Sequence, residues 1–178
     1  IEIVEYPAWD CLPYDRASPT LRVMAERIGA LHKLQAKPKG PQLVLTTVNA
    51  ATQRTLTPFR IRQLVANLKP GERIARDKLA ALLSANGNIK GFTLLPASEA
   101  LLDEESIKRF RSRYRETFGA TATGDPLYQA VSEGRRLAGM EHWLPLFEDR
   151  LETLFDHLGD DALIVRDGGV KAAGESRF

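Results

Sequence analysis

Lys108, Arg109, Arg111, Arg113 and Arg115 put five cations within eight residues. Such a density is what a contact to phosphates or to a carboxylate surface requires. On a helix, at about 100° per residue, the five do not form one stripe. Lys108, Arg111 and Arg115 fall on one flank of an apolar face, and Arg109 and Arg113 fall on the other. Glu104, Glu105 and Glu116 dilute the field. The segment reads as a solvated charged surface or as a partner or DNA contact led by Arg111 and Arg115. Arg135 and Arg136 are a second candidate, because a guanidinium presents a planar fork to an anionic partner. Trp9 and Tyr14 lie in a loop with Pro7 and Pro13. They either pin that loop to the core or offer an aromatic interface to another domain.

Gly139, Met140, Glu141, His142 and Trp143 bring an acid beside an imidazole. Adjacent residues point in different directions on a helix or a strand. General acid–base work needs both groups aimed at one atom. A structural role is therefore expected, with Trp143 and Leu144 buried and His142 hydrogen-bonded at the surface. Cys11 stands beside Asp10 with no nearby His, so a plain thiol is expected rather than a nucleophile. The other histidines, His32 and His157, do not make an HExxH spacing, and no CxxC occurs. No Walker GxxxxGK[ST], GxGxxG or GxSxG pattern is present. Gly168 and Gly169 read as a turn. The expectation is no catalytic, cofactor-binding or metal-binding residue.

Alternating strand and helix patterns must position these groups. Ile1, Ile3 and Val4 open a strand. Ser18 and Pro19 read as the start of a helix carrying Leu21, Met24, Ile28, Leu31 and Leu34 on one face. Residues 43–48 read as a buried parallel strand, and Asn49 as a cap for residues 50–54. Leu79, Leu82 and Leu83 mark a helix ending at Asn86 and Gly87. Strand 92–95, helix 103–118 and a helix opening at Asp125 and Pro126 follow. Leu151, Leu154, Phe155 and Leu158 predict a last helix, and residues 162–165 a last strand. The fold class expected is α/β with a parallel sheet.

The chain has 178 residues, 25 Lys+Arg against 23 Asp+Glu, and a net charge of +2. That length suits about one domain, and that balance does not suit a nucleic-acid-coating protein. One cysteine excludes an intrachain disulfide and fits a reducing cytoplasm. No apolar run reaches the roughly 18 residues of a membrane span. The opening residue is Ile rather than Met, which suggests an internal piece of a longer chain.

Three stretches carry more specific information. They are PAWDCLPYDRASP at 7–19, LLPASEALLDEESIKRFRSRYRETFG at 94–119 and DPLYQAVSEGRRLAGMEHWLPLF at 125–147. With TTVNAATQR at 46–54 and KPGERIARDKLAALLSANG at 69–87, they resemble the N-terminal region of the bacterial transcription-repair coupling factors (Mfd). The resemblance implies a UvrB-like domain 1, a helicase-like α/β module incomplete at its N-terminus, within a DNA-repair protein. Such proteins displace RNA polymerase stalled at DNA damage, use ATP and Mg for DNA translocation, and recruit UvrA for nucleotide excision repair. The module itself is implied to be non-catalytic and to hold no cofactor.

Relatives carry an inserted UvrA-binding domain after the LLSANG helix. Here Gly87 runs through residues 88–91 directly into Phe92. The resemblance thus implies a first segment at 1–87, a short junction at 88–91 and a second segment at 92–178. Other domains of the same protein are the expected partners, with UvrA, RNA polymerase and DNA reached through regions outside this chain, and no membrane. Removing an insert whose ends are close leaves a short loop to close, at small entropic cost. Gly87 and Gly91 are therefore expected to lie near each other. An independent α/β nucleotide- or phosphate-binding enzyme is the alternative, resting on fold class alone.

Overall fold

A computed structural model describes residues 1–12, 16–68 and 92–165. Tyr14, the helix expected around Leu79, the junction at 88–91 and the Gly168–Gly169 turn lie outside the described residues.

Strand β1 (Glu2–Tyr6) leads through a loop to helix α1 (Leu21–Leu34), which crosses over to strand β2 (Gln42–Thr46). The two strands pair in parallel, with Ile3 opposite Leu43 and Tyr6 opposite Thr46. This is the strand–helix–strand unit that the apolar periodicity predicts. The helix starts later than expected. Thr20, not Ser18, is its cap and accepts from the Val23 N–H. Asp10 holds Thr20 in turn, accepting from its N–H at 2.9 Å and its hydroxyl at 2.7 Å. Leu21 consequently falls outside the apolar stripe and is 67% exposed, while Met24, Ile28 and Leu31 are buried.

The expected buried strand at 43–48 is shorter and only half covered. Among the described residues β2 pairs only with β1, and Leu43 and Leu45 stay largely exposed on the outer face. Thr47 ends the strand because its hydroxyl accepts from the Ala50 N–H and caps helix α2 (Val48–Thr52); Asn49 is already helical. Thr57 repeats the device, capping α3 (Pro58–Leu64), whose first residue is a proline that fits the open end of a helix.

The remaining described strands are antiparallel, against the expected parallel sheet. Strand β3 (Thr55–Leu56) pairs with β6 (Leu151–Glu152), and β4 (Ala66–Leu68) pairs with β5 (Phe92–Leu94). The apolar run at 151–158 is therefore not one helix. Leu151 joins β6, and Thr153 and Asp156 form a capping box that starts a short 3-10 turn (Leu154–His157). Residues 162–165 form no strand, and Leu163, Ile164 and Val165 are exposed. β-Branched residues make a strand only where an edge is available to pair.

Helix α4 (Glu104–Phe118) matches its expected span. Asp103 caps it, accepting from the Ser106 N–H at 2.8 Å, and Glu104 and Glu105 complement the dipole of its first turn. A 3-10 segment (Gly119–Gly124) turns the chain into α5 (Pro126–Ser132), capped by Asp125. A second 3-10 turn (Met140–Trp143) runs into α6 (Leu144–Phe147). Aromatic rings join these helices. Phe110 of α4 stacks on Phe147 of α6 with centroids 4.6 Å apart, and Tyr114 lies 5.7 Å from Tyr128 of α5. These rings belong to the same core as Val4, Ile28, Leu56 and Leu154.

His157 closes β3 onto the core. Its Nε2 lies 2.9 Å from the Leu56 carbonyl, which only accepts, so Nε2 carries the proton and Nδ1 faces the Gln35 amide. Burial holds its pKa below the usual 6.5, although the Leu56 carbonyl and the carboxylates of Glu152 and Asp156 pull the other way. As pH falls through 6.5 the unfolded chain takes up a proton that the folded ring refuses. This contribution to stability is present above pH 6.5 and is lost as pH falls towards the folded value. The urea midpoint is expected to drop between about pH 7.5 and about pH 5.5, and His157→Gln is expected to flatten that drop. Equal midpoints for the unaltered chain at both pH values would refute the assignment.

Candidate functional site

In α/β folds, ligands sit beyond the carboxyl ends of parallel strands. Here that position, just past Tyr6, is filled by side chains. Arg27 comes from the inner face of α1 and Glu99 from the loop before α4, and both are completely buried. Arg27 Nε and one terminal nitrogen each lie 3.4 Å from a different Glu99 oxygen. The other terminal nitrogen donates to the Pro7 carbonyl at 2.9 Å. Glu99 also accepts from the Thr55 hydroxyl at 2.5 Å and from the Trp9 indole N–H at 3.2 Å. The guanidinium lies 4.3 Å from the centre of the Tyr6 ring, within cation–π range. Burial, with Glu99 adding to it and Arg27 opposing, pushes the Tyr6 pKa up to about 12.

A second network abuts the first. Glu141, also buried, accepts from Ser18, Ser98 and Arg136, at 2.5, 3.4 and 3.1 Å. Ser18 accepts from the Gly139 N–H, and Arg136 donates to the Ala100 carbonyl. Gly139 has φ of 84°, a conformation that favours glycine and lets its N–H meet Ser18. The His142 Nε2 lies 3.1 Å from the Ala17 carbonyl, and the imidazole meets the Trp9 ring edge-on at 5.3 Å. Glu141 and His142 thus face different partners, as their adjacency predicts. Leu144 is buried, whereas Trp143 is only half-buried. Among the described residues, no three His, Cys, Asp or Glu side chains form a metal-binding group.

The sequence-predicted residues separate by their surroundings. Trp9 is half-buried and spends its N–H on Glu99, so it pins the loop. Arg135 and Arg136 are not a paired fork. Arg135 turns back to Glu133, and Arg136 reaches inward to Glu141 and Ala100. After the turn at Gly134 both lie in non-helical chain, where adjacent side chains point to opposite sides. Arg109 and Arg113, on one flank of α4, both bridge to Asp149. Arg109 also donates to the Phe147 carbonyl, and Arg113 to the Pro145 and Glu148 carbonyls. They satisfy the open carbonyl end of α6.

Lys108, Arg111 and Arg115, on the other flank, line an open groove of about 730 Å³ against α5. Arg27 and Glu99 were not singled out by sequence reasoning. The available signal was a charged residue at position 27, set between Met24 and Ile28 inside the apolar periodicity of α1.

No family model matches the chain. Three transcription-repair-coupling factors are similar to it. The one from Haemophilus influenzae is 28% identical over 221 residues, covering 92% of this chain and 19% of the relative. The Escherichia coli protein is 25% identical over 223 residues, covering 94% and 19%. The Rickettsia prowazekii protein is 26% identical over 216 residues, covering 91% and 19%.

The chain is homologous to a region of the transcription-repair-coupling factors.

It spans about one fifth of the length of these relatives. The 221 matched positions of the Haemophilus influenzae coupling factor take in 92% of 178 residues, about 164, so about 57 positions there have no counterpart here. The three stretches that carry the resemblance to coupling factors are the ones that meet around the buried ions. Trp9 and Ser18 come from the first, Ser98 and Glu99 from the second, and Arg136, Gly139 and Glu141 from the third.

Arg27→Met, which strands the Glu99 charge, is expected to destabilise the chain by about 3–5 kcal/mol. Combining it with Glu99→Gln removes the stranded charge and keeps an acceptor for Trp9 and Thr55, so much of the loss should return. Urea unfolding of both variants measures this. A double variant no more stable than the single one would show that the charge is not the source of the cost.

Proposed function

We propose that this chain is a non-catalytic, UvrB-like module of a cytoplasmic transcription-repair coupling factor, lacking the inserted UvrA-binding domain. The observation that carries the reading is the homology over nine-tenths of the chain, in one order, to the coupling factors. The filled strand end supports the non-catalytic part. Arg27, Glu99 and Trp9 occupy the place where an α/β enzyme would seat a nucleotide.

The β4–β5 ladder is compatible with a missing insert: Leu68 stands opposite Phe92, so the described chain on either side of residues 69–91 ends at neighbouring points. An insert whose ends lie close can be present or absent at small entropic cost. On this reading, ATP, Mg, DNA and stalled RNA polymerase are engaged by other parts of the longer protein. This module restrains the motor until polymerase is bound.

Three measurements test the proposal. The purified chain is expected to show no saturable hydrolysis of Mg–ATP, and it should bind UvrA far more weakly than a coupling factor that carries the insert. Added in trans to a coupling factor truncated of the matching region, it should lower that factor's ATPase rate. Hydrolysis by the chain itself would overturn the non-catalytic assignment. An ATPase rate unmoved at saturating concentration would overturn the restraining role.

A further inference from the structure

The two flanks of α4 differ in a way the coupling-factor reading does not use. Arg109 and Arg113 are bound within the module. Across the helix, Lys108, Arg111 and Arg115 have no ion-pair partner among the described residues; Arg115 only donates to the Arg111 carbonyl. Most other described arginines are anchored, including Arg27, Arg60, Arg135, Arg136 and Arg150. The three remaining cations are spaced three and four residues apart. That places them within about 60° of one another around the helix. Along the axis they are about 4.5 and about 6 Å apart.

They form one wall of the groove between α4 and α5. Ile107, Ser132 and Gly134 also line it, and the Ser132 hydroxyl finds no hydrogen-bond partner among the described residues. Glu133, on the opposite side, is neutralised by Arg135, and Glu104 stands at the N-terminal end of α4.

We propose that this groove docks an acidic amphipathic helix of a partner protein, whose carboxylates at i, i+3 and i+7 meet Lys108, Arg111 and Arg115. The spacing of the stripe is that of one face of a helix, so a second helix with acids at the same intervals presents one carboxylate to each cation. Glu104 decides against a polyphosphate. A nucleic-acid strand would bring further negative charge against it, whereas a protein helix can offer a Lys or Arg there. The net charge of +2 gives no long-range attraction for DNA beyond this stripe.

The test uses the 178-residue chain and a synthetic, covalently stapled helical peptide with Glu at i, i+3 and i+7. A 20-base-pair duplex serves as competitor. The peptide is expected to bind at low salt and to weaken as salt rises. Arg111→Glu with Arg115→Glu should weaken it at least about tenfold, and the Ala versions by less. Lys37→Glu with Lys39→Glu, a matched reversal of two exposed cations outside the groove, should leave binding unchanged. Unaltered thermal unfolding of each variant shows that the loss is local. The proposal is overturned by no salt-dependent peptide binding, by an equal loss in the Lys37/Lys39 control, or by tighter binding of the duplex through the same two arginines. None of these outcomes bears on whether the chain hydrolyses ATP or restrains a motor, so this proposal and the functional one fail separately.

Discussion

Arg27 and Glu99 are completely buried, and each would be intolerable there alone. Removing an ion from water costs several kcal/mol even after relaxation, and only a partner plus further hydrogen bonds offsets it. The chain meets that requirement from four places. Pro7 and Trp9 close the end of β1, Arg27 comes from α1, Thr55 from β3 and Glu99 from the loop before α4. A buried ion pair is weak evidence for high stability, because a well-packed apolar pair would often do as well. What it does impose is arrangement. Every one of these segments must be in place at once, or a charge or an N–H is left unpaired.

That requirement gives a physical reading to the resemblance. The three stretches shared with the coupling factors look chemical, with their Asp, Glu, His and Trp residues. In the folded chain their polar groups face one another. Glu141 is consumed by Ser18, Ser98 and Arg136, and His142 by the Ala17 carbonyl. These stretches lock the loops to one another. This also accounts for a module that keeps a recognisable sequence without phosphate-binding or metal-ligand patterns.

Local elements were legible where side chain and backbone cues agreed. Asp103 with Glu104 and Glu105 announced α4, and Asp125 with Pro126 announced α5. The errors arose where a threonine outbid the hydrophobic pattern. Thr20 replaces Ser18 as the cap of α1, Thr47 replaces Asn49 as the cap of α2, and Thr153 breaks the apolar run at 151–158. The antiparallel pairs β3–β6 and β4–β5 were illegible for another reason: short ladders between distant segments carry no local signal of their partner. The Arg27–Glu99 pair shares that cause, since its members are 72 residues apart and only the fold brings them together. Ile164 and Val165 show the converse, β-branched residues with no described edge to join.

Helix α4 shows how a nearly neutral chain can still carry a directed surface. Its five cations contribute alike to the sum of charges, yet two of them are spent inside. Arg109 and Arg113 cap α6 and hold Asp149, which fixes the orientation of α4 against the aromatic core through Phe110 and Phe147. With one flank held, the other cannot turn away, so Lys108, Arg111 and Arg115 are presented to solvent at fixed intervals on a rigid helix. A contact surface built this way needs no excess of positive charge over the whole molecule. It needs only that its neighbours in the core be paired, as Arg27 is with Glu99, Arg60 with Asp103 and Glu148, and Arg136 with Glu141.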